Sequence, residues 1–65
     1  MIVYAGYKGK KHVATITGTD SPEPLWALVY YEPDGLEVWD VRLSLNAAKA
    51  AWRRVDGPGT RWRPH

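Results

Sequence analysis

Apolar and polar positions along the chain resolve into four short strand-like runs, one helical run and a basic end. Residues 2–7 and 12–17 flank Lys8-Gly9-Lys10-Lys11, which predicts a hairpin whose tip uses Gly9 for a left-handed conformation. A four-residue tip pairs Ala5 with Ala14 and Val3 with Ile16. That register gathers these four side chains on one face and leaves Ile2, Tyr4, Thr15 and Thr17 on the other. Gly18 to Pro24 contains two prolines and a glycine among small polar residues, so it predicts a loop.

Leu25 to Glu32 is almost continuously apolar and rich in aromatic rings, the mark of a central strand. Glu32-Pro33-Asp34-Gly35 then reads as a turn. Pro33 pre-sets φ, and Gly35 supplies the left-handed residue from which Leu36 starts a return strand running to Arg42 or Leu43. With Pro33-Asp34-Gly35 as the loop, Tyr31 faces Glu37, Val29 faces Trp39, Ala27 faces Val41 and Leu25 faces Leu43. This set is assigned to the helix-facing core, where Trp39 is expected to meet Trp52. Tyr30 with Val38, Leu28 with Asp40, and Trp26 with Arg42 are assigned to the open face.

Ser44 suits a helix N-cap, and Leu45 to Val55 follows with strong helix formers. Leu45, Ala48, Trp52 and Val55 form one apolar stripe at helical spacing. Gly57 fits the residue after the helix and Pro58 forbids continuation. The pattern therefore predicts an α+β domain over 1–56, in which a four-stranded antiparallel sheet of two hairpins packs against one C-terminal helix. A basic and aromatic tail follows over 57–65.

Composition narrows the class without naming a function. A chain of 65 residues supports one core, and the absence of cysteine removes both disulfides and thiolate metal sites. The N-terminal apolar run is short for a secretory signal and no run reaches membrane-spanning length, so a cytoplasmic protein without membrane contact is expected. Net charge is +2, unevenly distributed. Residues 1–41 hold three lysines against six carboxylates, whereas residues 42–65 hold six cations against Asp56 alone. Such asymmetry points to nucleic acid, or to an acidic protein or nucleoprotein surface.

No catalytic constellation accompanies that charge. His12 and His65 have no carboxylate at a metal-ligand spacing, Ser21 sits between loop residues, and Ser44 is committed to capping. Gly57-Pro58-Gly59 and Lys8-Gly9-Lys10 lack the strand-loop-helix setting of a phosphate loop. Neither enzyme activity, metal nor cofactor is expected. The candidate binding residues are Trp26, Tyr30 and Arg42 on the sheet, Lys49, Arg53 and Arg54 on the helix, and Arg61, Trp62 and Arg63 on the tail. Lys49 and Arg53 stand at i, i+4 with no compensating acid, an arrangement that an anionic partner would relieve.

From Leu25 to Val55 the strand-turn-strand-helix outline resembles the small DNA-binding domains of the AP2 and integrase arm-binding type. That resemblance is architectural, implies an open sheet face directed to the major groove, and meets Glu37 and Asp40 where a basic sheet would be expected. Two functions follow as expectations. One is a non-enzymatic module acting on nucleic acid or a nucleoprotein complex. The other is a small protein-binding inhibitor or adaptor of phage or mobile-element type, anti-CRISPR-like or antitoxin-like. A single helix leaves sheet surface uncovered, so a homodimer is expected unless the tail folds back and Trp62 fills the gap.

Overall fold

The computed structural model describes residues 2–19 and 25–65. Its strands are β1 (Val3–Lys8), β2 (Lys11–Thr19), β3 (Leu25–Tyr31), β4 (Glu37–Arg42) and β5 (Arg61–Pro64), with one helix, α1 (Leu45–Asp56), between β4 and β5. They form a single antiparallel sheet in the order β4-β3-β2-β1-β5 with the helix on one side, an α+β fold. Gly18 and Thr19 continue β2, and the rest of the expected loop, residues 20–24, lies outside the described residues together with Ser21.

The β3-β4 hairpin forms in the register its turn demands. Tyr31 pairs with Glu37, Val29 with Trp39, Ala27 with Val41 and Trp26 with Arg42. Gly35 takes φ +90° and donates its N–H to the Glu32 carbonyl at 2.8 Å. The Asp34 carboxylate accepts from the Leu36 N–H at 3.0 Å. The turn is thus closed by main-chain and side-chain bonds from its own residues.

The β1-β2 hairpin follows the expected register only at its tip, where Tyr7 pairs with His12 and Lys8 with Lys11. A bulge then makes Val13 an extra residue on β2, so that Gly6 pairs with Ala14, Ala5 with Thr15, Tyr4 with Ile16 and Val3 with Thr17. One inserted residue turns every later side chain of β2 to the other face relative to β1. Ala14 and Ile16 therefore share a face with Tyr4 and Gly6, not with Val3 and Ala5.

The face that the helix covers is likewise the reverse of the expectation. Ile16 pairs with Leu28 across β2-β3, and both are fully buried under Ala48, Ala51 and Trp52. Tyr30 meets the Trp52 ring at 5.1 Å between centroids. Trp26 packs against this core, and Trp39 points away from it at 60% exposure. The central strand decides the matter. On β2 one face offers Ala14 and Ile16 and the other Thr15 and Thr17, so burying the first pair costs no hydroxyl desolvation. Since β3 is apolar on both faces, it accepts either orientation.

The helix begins where Ser44 Oγ accepts from the Ala47 N–H at 3.0 Å and ends at Gly57, with φ +78° and its N–H on the Arg53 carbonyl. It crosses β2, β3 and β4 and stops short of β1 and β5. Val55, the last residue of the expected stripe, is 54% exposed. The tail does not stand apart from the domain. Arg61–Pro64 pairs with β1 as a fifth strand and places Trp62 opposite Gly6. A Cβ on residue 6 would lie 2.7 Å from the Trp62 ring, so glycine provides the seat for that side chain.

Candidate functional site: a basic groove beside the last strand

Because α1 stops short of the β1-β5 end of the sheet, a groove of about 510 Å³ opens between the helix and the segment leading into β5. Asn46, Lys49, Ala50 and Arg53 form its helical wall, spaced so that each points the same way as the residue three or four positions on. Trp62 and the Gly57–Thr60 connection form the facing wall. The connection is held in place by Trp52, whose indole N–H donates to Thr60 Oγ1 at 2.8 Å.

The groove has one sign of charge. Lys49 and Arg53 line it, and among the described residues no carboxylate does. Lys49 Nζ stands 5.7 Å from the centroid of the Tyr4 ring, a cation–π arrangement that places the ammonium over β1. Asp56, the one acid of residues 42–65, is engaged elsewhere by Lys8, whose ammonium reaches its carboxylate at 2.7 Å and its carbonyl at 2.9 Å. Arg53 and Arg54 in the last turn also offset the negative end of the helix dipole.

Of the nine candidate residues the fold brings three together here, Lys49, Arg53 and Trp62. Arg54 is exposed but does not line the groove. Arg61 and Arg63 alternate with Trp62 along β5 and pair with Tyr7 and Ala5, so they lie on the opposite side of the sheet. Trp26 and Tyr30 belong to the helix side instead of an open aromatic face. The Trp26 ring lies 6.2 Å from Tyr4 and close over Gly18, and Tyr30 is covered by Trp52. Arg42 donates to both oxygens of Asp40 at 2.8 and 3.0 Å. Those bonds hold the Asp40 carboxyl below its ordinary range and raise Arg42, so the charge of this arginine is met within β4.

Sequence reasoning missed Asn46, which stands on the helical wall, and Thr60, which the fifth strand brings to the groove. The one available signal was Gly6, a glycine inside a strand pattern, which marks a close approach. Among the described residues no group of three or more His, Asp or Glu side chains is placed to hold a metal ion, and no helix is long and apolar enough to cross a membrane. The chain matches no protein-family model, no curated protein and no solved structure.

Proposed function

We propose that this domain is a non-enzymatic module that binds single-stranded nucleic acid in the groove beside β5. The observation that carries the reading is the pairing of two cations, Lys49 and Arg53, with the partly buried Trp62 ring in a groove that, among the described residues, no carboxylate lines. Cations that follow a phosphate backbone and a ring on which a base stacks are the two components of sequence-tolerant single-strand binding. Asn46 adds an amide able to donate to and accept from a base edge.

The test is a tryptophan-fluorescence titration with an oligothymidylate of about ten nucleotides across a salt series. Two phosphate contacts give a log-log salt slope near −1.4, and Lys49→Ala or Arg53→Ala each flatten it by about 0.7. Binding that ignores salt, or no binding at low ionic strength, removes the reading. A second reading, the protein-binding inhibitor or adaptor, draws on the other side of the sheet, where Tyr31, Trp39 and Val41 are 67, 60 and 54% exposed. Capture of a protein partner that Trp39→Ala weakens and Lys49→Ala leaves intact, with no retention of oligonucleotide, would favour it.

A further inference from the structure

Among the described residues nothing covers the sheet face turned away from the helix, and its rows have an internal symmetry. One row runs Trp39-Val29-Thr15-Ala5-Arg63 from β4 to β5, every neighbour a register pair. The next runs Val41-Ala27-Thr17-Val3. On the other flank Tyr31 pairs with Glu37 at one end and Tyr7 with Arg61 at the other. Around the central β2, the two inner positions of these rows pair a valine with an alanine, while Tyr31 corresponds to Tyr7. Val29 corresponds to Ala5 and Ala27 to Val3, a larger side chain to a smaller one in each case. The ends are matched in charge, with the Glu37 carboxylate on β4 and Arg61 and Arg63 on β5.

We infer that this face binds a second copy of the same chain, sheet against sheet, about a two-fold axis parallel to the strands and passing over β2. That operation lays β4 of one copy over β5 of the other and β3 over β1. Val29 then lies over Ala5 of the second copy, and Val3 over Ala27, each contact occurring twice. Trp39 meets Arg63 and Glu37 meets Arg61, a cation–π pair and an ion pair at each end. Aligned sheets pack about 30° apart and separate at their corners, which is where these four long side chains stand.

The other in-plane two-fold, perpendicular to the strands, would lay β5 on β5 and oppose arginine with arginine, so charge selects between the two. The face spans five strands at about 4.8 Å and about six residues at about 3.4 Å, roughly 24 by 20 Å. Two such footprints total about 1,000 Å², the lower bound for a specific interface. This inference does not depend on the groove, whose residues lie on the other side of the sheet.

The experiment is sedimentation equilibrium of the full chain without nucleic acid, from about 10 μM to about 1 mM. A reversible monomer–dimer equilibrium is expected. Glu37→Arg and Arg61→Glu should each weaken it about tenfold or more, and the double variant should return it to within about threefold. Trp39→Ala should weaken it by about tenfold with the circular dichroism spectrum unchanged, and Lys49→Ala should leave it unaltered. A chain that stays monomeric throughout overturns the inference, as does a dimer indifferent to both charge reversals. Failure of the double variant to recover overturns the two-fold arrangement.

Discussion

Trp52 carries its indole beneath the helix at 5% exposure, against Tyr30, and closes the hydrogen bond to Thr60 that anchors the start of β5. Trp39 stands 60% exposed on the bare face, its indole N–H on the Glu37 carboxylate. That bond and the Tyr31 hydroxyl, 2.9 Å from the same group, hold the Glu37 carboxyl below its ordinary range and raise Tyr31. Both tryptophans occupy apolar positions of good periodicity, and only burial separates them. Trp52→Ala should therefore lose about 3–5 kcal/mol, against a whole stability of about 3–10 kcal/mol for a chain this size. Trp39→Ala should stay within about 0.5 kcal/mol when measured on dilute protein. Thermal and urea denaturation read both, and an equal cost for the two would contradict the face assignment. The site residues divide by a similar logic. Lys49 and Arg53 were legible as a pair because their spacing is a property of the helix itself. The separation of Trp62 from Arg61 and Arg63 was not, because a tail has no faces until it pairs as a strand.

Elements closed by their own residues were readable in advance. The helix has Ser44 and Gly57 at its ends, and the β3-β4 hairpin has Pro33-Asp34-Gly35, so local chemistry sets both boundaries and register. The bulge at Val13 has no comparable local signal. It forms because Ala14 and Ile16 must join Leu28 under the helix while the tip keeps its own pairing, a requirement set by β3 and α1. β5 likewise depends on a distant residue, Gly6, whose missing side chain leaves room for the Trp62 ring. Gly6→Ala should displace that ring at a cost of about 1–3 kcal/mol, since Thr60 also lies 3.0 Å from the added Cβ. Loss of near-ultraviolet circular dichroism with the helix signal retained, together with weaker oligonucleotide binding, is the expected result. An unchanged near-ultraviolet spectrum would show that β5 is seated by something else.

At the scale of the molecule, the fifth strand turns β1 from an edge into an interior strand and completes both the groove and the arginine end of the open face. A chain ending at Asp56 keeps the helix and four strands but exposes the donors and acceptors of β1 and deprives Trp52 of Thr60. It should melt earlier than the full chain and scatter light increasingly with concentration. A truncated chain as stable and monodisperse as the parent would remove β5 from the architecture of the domain. By itself the sequence determined the order of the first four strands and the helix, the turn, the caps, the α+β class and the concentration of cations in residues 42–65, because each depends on neighbours along the chain. Only the tertiary structure decided which face of β3 the helix covers, where β2 bulges, that the tail is a strand, and hence which cations share a groove with Trp62. Those outcomes depend on pairings between distant residues, and β3, apolar on both faces, is compatible with either side of the sheet until β2 pairs with it and buries Ile16 against Leu28.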